Sequence, residues 1–455
     1  MNEPLEFDSH AYLAGVIAQT LCKDSEADLV AAEEVFWRYN GKVWGKIPPK
    51  VVRKAVVDLD RHPVLRGQDP STGELKFRPL RVTSSLVEGV VSILSIKFGA
   101  HHQDFFQDAP FGLQFNNGFL TLGLDGELKL KPCSPSWRQR ILMPWDWDVS
   151  AEAPRWKQAL DQWFNVLAPS QDSLFDTEQD AIDKRLFLQE FVGASLMGFA
   201  TRYGKATILS GGGENGKSKF IEAIQDAFPD GAWTSIEPQT LSEEYRAAEL
   251  AGKRINFSAD IPSTELVSSH IFKAAVTGDV IMARHIRQDP FKFKPEAGHL
   301  FSANELPPTR DYSHGFWRRF VVVEFANKFT GQNKDPHLTD KLQKELPGIV
   351  AWMVRGAIRL LKQGDYTIPP SSTALLDAWR NDSDVVSRWL QECTEPVTQF
   401  SMGSTPASLY NHFDAWRQRR RYKDITDQTF FRRLAAIVGP SQRRRSIRHY
   451  LRRIQ

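Results

Sequence analysis

Residues Gly211 to Ser218 read GGGENGKS, a glycine-rich run closed by a lysine and a hydroxyl. These are the groups that a polyphosphate needs. Gly211, Gly212, Gly213 and Gly216 can turn backbone N–H groups inward as an anion nest, with Glu214 and Asn215 completing the loop. Lys217 would reach the β- and γ-phosphates, and Ser218 would offer its hydroxyl to magnesium. Such a loop must sit between a buried strand and a helix N-terminus, whose dipole favours negative charge. Both are expected. Lys205 to Ser210 (KATILS) is an apolar strand candidate, and behind the loop Phe220, Ile221, Ile224, Ala227 and Phe228 recur on one helical face.

Cleaving a nucleotide also requires an acid to hold magnesium and orient water, a polar sensor near the γ-phosphate, and an arginine for the charge that develops in the transition state. Asp260 closes the short strand candidate RINFSAD (Arg254 to Asp260), Asn304 closes LFSAN (Leu300 to Asn304), and Arg318 and Arg319 precede an apolar strand in GFWRRFVVVEF (Gly315 to Phe325). The spacings are compact: 43 residues from Lys217 to Asp260, 44 on to Asn304, and 14 or 15 more to the arginines. Singly, each has another reading. Asp260 could cap a turn before Pro262, Asn304 could be a turn residue before Pro307-Pro308, and the arginines could be surface charges. In this order behind the loop, they favour a catalytic set. Between acid and sensor, TGDVIMARHIRQDPFKFKP (Thr277 to Pro295) predicts a hairpin about Gln288-Asp289-Pro290. It carries Arg284, His285, Arg287 and Lys292, which could grip a phosphate backbone or simply be solvated.

The elements that must position these groups lie in a chain of 455 residues, long enough for two or three cores. A hydrophobic content of 41% with 25% charged residues excludes a disordered or membrane-embedded chain. No apolar run approaches a membrane span, and the opening MNEPLEFDSH lacks the features of a secretion signal, so a cytoplasmic location, in a bacterial host, is expected. Cys22, Cys133 and Cys393 are too few and too scattered for a disulfide framework or a zinc cluster. From Trp416 to Gln455 there are thirteen Lys/Arg against Asp424 and Asp427, a charge of +11 that leaves −8 for the rest of a chain whose total is +3. That concentration is a nucleic-acid footprint.

Residues 1–170 read as a mixed helical and hairpin unit. Ser9 could cap a helix with Leu13, Val16, Ile17 and Leu21 on one face. A hairpin of Phe36 to Ile47 turns at Asn40-Gly41, a pair suited to type I′. Val52, Ala55, Val56 and Leu59 follow at helical spacing, and Phe111 to Leu130 carries two further turn signals, Asn117-Gly118 and Asp125-Gly126. Asp58 and Asp60 imitate the D-x-D pair of a primase or polymerase. On a helix, however, they diverge by about 200°, so no metal site is expected. His101-His102 has no partner at ligand spacing. Trp156, Leu160, Trp163, Phe164 and Leu167 begin a helical connector into residues 171–365, the expected ATPase unit. GDYTIPPSST (Gly364 to Thr373) reads as a linker to residues 374–455. There, Leu409, Tyr410, Phe413 and Trp416 form one helical stripe. Thr426 could cap a second helix with Phe430, Leu434 and Ile437 inward and Arg432-Arg433 outward, and RRRSIRHYLRR (Arg443 to Arg453) reads as a basic hairpin wing including Arg443, Arg444 and Arg445.

From about Asp8 onward the chain resembles the helicase portion of phage and plasmid primase-helicases, the superfamily 3 group that includes the poxvirus primase-helicase. The resemblance is carried by GGGENGKS, LAGKRINFSAD (Leu250 to Asp260), the hairpin segment, LFSANELPP (Leu300 to Pro308) and GFWRRFVVVEF, with FNNGFLTLGLDGELKLKPCSP (Phe115 to Pro135) upstream. It implies a multidomain α/β protein with an AAA+-like P-loop core, an N-terminal α+β collar and a C-terminal winged helix. It further implies ATP and Mg²⁺ between subunits of a ring, usually a hexamer, that moves 3′ to 5′ on single-stranded DNA. Arg318 and Arg319 would then include the finger that reaches a neighbour's nucleotide, and the hairpin would line the channel. The chain departs from the family in having Asp260 where Glu is usual, which leaves open whether one acid serves both magnesium and water. The primase module that often precedes this region has no counterpart, so a separate primase or polymerase partner is expected. The expectation is a helicase replicating a phage, plasmid or mobile element on forked DNA. The alternatives are an origin-binding initiator that uses ATP as an assembly switch and a small-molecule kinase.

Overall fold

The computed structural model describes residues 4–22, 28–99, 105–106, 109–123, 125–165, 177–262, 270–309, 311, 313–397, 403–420, 422, 424–444, 447–449 and 452–454, with the backbone alone for 332 and for those beyond 441. His101-His102, Leu167 and Arg445 lie outside the described residues.

The first body has its own core. Helix α1 (His10–Leu21) is capped by Ser9, whose hydroxyl accepts from the Tyr12 N–H, and it buries Leu13, Ile17 and Leu21. Strands β1 (Leu29–Ala32), β2 (Val35–Tyr39) and β3 (Trp44–Ile47) form an antiparallel sheet in that order. The turn at Asn40-Gly41 is present but is not type I′, which needs positive φ at both central residues. Tyr39 pairs with Trp44 across a longer loop in which Gly41 has φ 94°. The Asn40 side-chain oxygen accepts from the N–H groups of Lys42 and Val43, an Asx arrangement that replaces the backbone turn. Helix α2 (Pro49–Val57), the hairpin β4 (Pro63–Gln68) and β5 (Leu75–Pro79), and helix α3 (Ser84–Lys97) complete this body around Val52, Val56, Val90 and Leu94. Asp58 pairs with Lys54 at 2.8 Å and Asp60 accepts from the Val82 N–H at 3.0 Å, so the D-x-D pair closes a helix end.

Next come the antiparallel strands β6 (Gly112–Phe115), β7 (Gly118–Leu122) and β8 (Leu128–Lys131), then α4 (Pro154–Phe164) and α5 (Glu178–Met197). The α/β body follows as β9 (Ala206–Ser210), α6 (Lys217–Ala227), β10 (Trp233–Thr234), α7 (Glu244–Ala248), β11 (Ile255–Ser258), α8 (His270–Thr277), β12 (Ile281–Ala283), β13 (Phe291–Phe293), β14 (Gly298–Ala303), α9 (His314–Trp317), β15 (Phe320–Glu324), α10 (Leu338–Gln343), α11 (Leu346–Gln363) and α12 (Pro370–Ser383). Its sheet is parallel throughout, in the order β10-β11-β14-β9-β15. Every residue of β9, β11 and β14 is buried. A sheet covered on both faces takes apolar runs without alternation, as KATILS and FVVVEF do. Leu209, Phe257, Leu300 and Val323 face α4, α5, α6 and α11, while Ile208, Phe301, Phe320 and Val322 face α8, α9 and Trp379 of α12.

The boundary expected near residue 170 does not coincide with a break in this core. One apolar cluster runs from Leu113 through Trp156 and Phe220 to Tyr366, so β6, β7 and α4 pack as part of the α/β body. The expected linker at 364–373 is likewise fastened down. Tyr366 is buried against Phe187 and Tyr203. The fully buried carboxylate of Glu190 accepts from Arg359 at 2.7 Å, from Gln363 at 3.0 Å, and from the N–H and hydroxyl of Thr367 at 2.8 Å each. Pro370 then starts α12, where its missing N–H costs nothing.

The last body comprises α13 (Val385–Cys393), β16 (Thr394–Pro396), α14 (Pro406–Arg419), α15 (Asp427–Val438), β17 (Gln442–Arg444), β18 (Ile447–His449) and β19 (Arg452–Ile454). Trp389, Leu409, Phe413, Trp416, Phe430 and Leu434 form its core. Thr426 caps α15 as expected, but Ile437, expected inward, is exposed. β17 pairs with β18, and β19 returns to β16. Glu190→Ala should destabilise the protein by about 3 kcal/mol or more, because Arg359 would lose its buried counter-charge. Urea unfolding measures this, and an unchanged midpoint would show that the fastening of 364–373 carries no stability.

Candidate functional site

The run GGGENGKS leaves β9 and enters α6 at Lys217. Gly211 (φ 149°) and Gly216 (φ 94°) occupy backbone conformations that side chains rarely allow. A Cβ at Gly216 would stand 2.3 Å from the Trp163 indole nitrogen, and one at Gly211 would stand 2.1 Å from the Asn215 amide. Gly212 has neither constraint: its φ is not positive and its surroundings are open. Gly216 offers α6 no side-chain cap, and apart from a long 3.5 Å contact of the Lys217 N–H with the Asn215 side-chain oxygen the first N–H groups of the helix are left for an anion.

Asn215 is buried and braces the loop. Its amide donates to the Phe325 carbonyl at 3.1 Å, just past β15, while its oxygen accepts from the Lys217 ammonium at 3.4 Å. The same ammonium donates to the Gly211 carbonyl and, at 3.3 Å, to the side-chain oxygen of Asn304. Burial pushes the Lys217 pKa below the ordinary lysine value, with the Asp260 carboxylate opposing the shift. Asn304 reaches Lys217 because β14 is hydrogen-bonded to β9 on one side and to β11 on the other, so the ends of all three strands open on one edge. Asp260 follows β11 on that edge and is exposed.

A cavity of about 370 Å³ joins these groups, lined by Gly213 to Lys219, Asp260 and Asn304. An uncapped helix end and a glycine crevice suit phosphates. The Ser218 hydroxyl and Asp260 carboxylate are oxygen donors of the kind that magnesium takes. The facing wall comes from α4 and residues 327–338, which the sequence reading did not associate with the loop. Asn327 donates to the carbonyls of Gln162 and Asn165 at 2.9 Å each, the Phe329 N–H donates to the Glu214 carbonyl at 2.7 Å, and Arg155 pairs with Asp335 at 2.8 Å. Trp163 was legible as a buried aromatic, but no spacing indicates that it abuts Gly216.

The tandem arginines lie elsewhere. Phe320 pairs with Ala206 at the start of β9, so Arg318 and Arg319 sit at the opposite end of the sheet, roughly 20 Å from the loop at about 3.3 Å per residue. They differ in burial. Arg319 is buried, with its guanidinium donating to the Gly315 carbonyl and its own carbonyl accepting from the Ala206 N–H. Arg318 is exposed, and its carbonyl accepts from the Lys205 ammonium at 2.8 Å.

The expected hairpin is β12 with β13, Met282 pairing with Lys292. Its four expected contact residues divide. Arg284 is engaged by Glu244 and by the Tyr245 hydroxyl at 2.9 Å, and His285 stacks on Phe291. Arg287 and Lys292 are exposed, alongside Met282 and Ile286. A similar division corrects the reading of α15. Arg432 is exposed as expected, but Arg433 is turned inward onto the buried carboxylate of Asp384, the cap of α13. Arg443 and Arg444 lie on β17.

Residues 209–319 match a family described as "Family of unknown function (DUF5906)". That stretch holds the loop, Asp260, the hairpin, Asn304 and both arginines. Over 147 residues the chain is 31% identical to "Putative helicase L207/L206" of Acanthamoeba polyphaga mimivirus, a match that takes in 30% of this chain and only 15% of that protein. Among solved structures, the A form apo structure of the NrS-1 C-terminal region is similar at a TM-score of 0.45 and 11% identity, covering 82% of this chain and 75% of that one. The apo structure of NrS-1 residues 305–718 gives a TM-score of 0.45 and 11% identity over 98% of this chain and 100% of that one. Among the described residues, no helix is long and apolar enough to cross a membrane.

Gly216→Ala should lower stability by about 1–3 kcal/mol through positive φ and the clash with Trp163, whereas Gly212→Ala should change it by less than about 0.5 kcal/mol. Equal effects of the two substitutions in urea unfolding would contradict this assignment of loop strain.

Proposed function

We propose that the chain is an ATP-hydrolysing DNA helicase that works as a ring, with ATP and Mg²⁺ bound at the cavity edge of one subunit and completed by an arginine of the next. The observation that carries this reading is the separation of the parts. Lys217, Ser218, Asp260 and Asn304 converge on one edge of the parallel sheet, while Arg318 stands exposed at the other, too far away to serve its own site. An arginine so placed can act on a nucleotide only in another subunit. Ser218 and Asp260 would hold magnesium, whose charge would offset that of the phosphate oxygens. The N–H groups of the loop would cradle the phosphates, Lys217 would neutralise them, and Asn304 would place its side-chain amide beside them.

Strand order supports an AAA+-like core, since the sensor strand β14 lies between the loop strand and the acid strand. The body made by α13, α14 and α15 with short strands β16 to β19 supports a winged helix, with Arg432 on the exposed side of α15 and Arg443 and Arg444 on the wing. The mimivirus relative, whose name is a helicase, favours motion along a nucleic acid over transfer to a small acceptor. A hexamer, 3′ to 5′ direction and a separate primase remain part of the reading.

Lys217→Ala should abolish ATP hydrolysis in a protein that stays folded. Arg318→Ala should lower turnover by about a thousandfold or more and regain activity when mixed with Asp260→Ala subunits, because each supplies the half that the other lacks. Arg319→Ala should instead lower the melting temperature. If no mixture recovers turnover, the site is not shared. Replacing Arg287 and Lys292 together by Ala should leave basal hydrolysis intact and remove its stimulation by single-stranded DNA, while strand displacement on a forked duplex separates a motor from an assembly switch. Undiminished stimulation would make the hairpin a merely solvated one.

A further inference from the structure

Lys205 and Arg318 are 113 residues apart in sequence, and they meet at the end of the sheet remote from the loop at 211–218. The Lys205 ammonium donates to the Arg318 carbonyl at 2.8 Å. We propose that Lys205 is a positioning residue for Arg318, holding its backbone so that the guanidinium projects into the nucleotide site of the neighbouring subunit. The assignment rests on the reading in which that site is shared.

The contact falls on a helix end. Helix α9 has four residues, and Arg318 is its C-cap. Carbonyls at a helix C-terminus lack intrahelical partners, and a cation is a favoured donor to them. Two cations take that role here. The Arg319 guanidinium donates to the Gly315 carbonyl, and the Lys205 ammonium to that of Arg318. At the other end the Ser313 hydroxyl accepts from the Phe316 N–H at 3.3 Å, and Phe316 and Trp317 are buried against Phe320 and Trp379. The turn is therefore fixed at both ends and on its inner face, and the exposed Arg318 side chain leaves from the outer one.

Charge separates this contact from an ordinary cap. Lys205 is half-buried; burial lowers its pKa, Asp365 opposes the shift, and the like charge of Arg318 adds to it. Asp365 lies in the fastened segment after α11, where its carboxylate accepts from the Tyr366 N–H at 2.7 Å. The ammonium thus has a counter-charge inside the subunit and a like charge in front of it. That repulsion disfavours an Arg318 side chain folded back on its own subunit and favours an extended one. Lys205 also immediately precedes β9, the strand that leads to the loop, so one strand joins the subunit's own site to the arginine it lends. A loss of activity on changing Lys205 could arise at either end, and mixtures of subunits tell the two apart.

The test is ATP hydrolysis by the full chain with magnesium and single-stranded DNA. Lys205→Met should lower turnover at saturating ATP by about ten- to a hundredfold, the scale of a misplacement of about 1 Å, with the KM for ATP within about threefold of the parent. Lys205→Arg, which keeps a cationic donor, should restore it. Lys205→Met subunits should regain turnover when mixed with Asp260→Ala subunits, which bring an intact Arg318, and not with Arg318→Ala subunits, which lack the same half. Any other pattern of recovery, or parental turnover by Lys205→Met alone, would overturn the assignment. If Lys205→Met does not fold, Lys205→Gln, uncharged but still a donor, goes through the same mixtures with the same outcomes deciding. Recovery of Arg318→Ala with Asp260→Ala is the control, and its absence removes the shared site along with the role given to Lys205.

Discussion

The placement of β14 between β9 and β11 is the constraint on which the site depends. Strands β9 and β14 are separated by more than eighty residues of chain, yet Ala303 pairs with Ser210 and Phe301 with Ser258, so three loops open side by side. Lys217, Asp260 and Asn304 are neighbours for that reason alone. A shift of one residue would turn each side chain to the opposite face. Polar groups inside the sheet oppose such a shift. The Asn256 amide, buried on β11, lies 3.2 Å from the His299 ring on β14 and donates to the Ile236 carbonyl at 2.9 Å. Burial pushes His299 down to about 4, so the ring is neutral and can accept without bringing a charge into the core.

The second constraint is that the cavity has two walls of different origin. One is the sheet edge and α6, encoded by local signals that survive in isolation: a glycine run, apolar strands and helical periodicity. The other is α4 with the segment after β15, more than 160 residues apart in sequence, joined by Asn327 and by Arg155 with Asp335. Lys341 and Arg155 hold Asp335 down to about 2, so it remains a carboxylate and keeps the junction closed across the neutral range. Because α4 shares the core of the α/β body, the loop at 211–218 is packed from behind by Trp156 and Phe220, whose rings stack 5.5 Å apart.

Legibility in the sequence follows the same division. The strand, loop and helix at 206–227 and the capping residues Ser9 and Thr426 were readable because each acts within a few residues of itself. The apparent linker at 364–373 misled because its composition is that of a loop, while its order comes from Glu190, on a helix that ends far upstream. The apolar cluster that spans residue 170 was hidden for a related reason: a helix such as α4 shows that it has an apolar face, but not which of two bodies covers it. Asn40-Gly41 marked a turn correctly and its type wrongly, since the asparagine side chain competed with the backbone for the same N–H groups.

Charge counting shows the limit most clearly. The C-terminal +11 suggests a uniformly basic surface, but Arg417 is buried between Asp414 and Asp424, Arg420 is paired with Glu392, and Arg433 is spent on Asp384. Adjacent residues on a helix point about 100° apart, so a tandem arginine can hold the fold with one member and present the other. Arg433 and Arg432 divide in that way on α15, and Arg319 and Arg318 do so where α9 meets β15. The inward member fixes the backbone from which the outward one projects. A pair of like charges thus supplies both the anchor and the exposed cation, and burial, which no count of residues contains, assigns the roles.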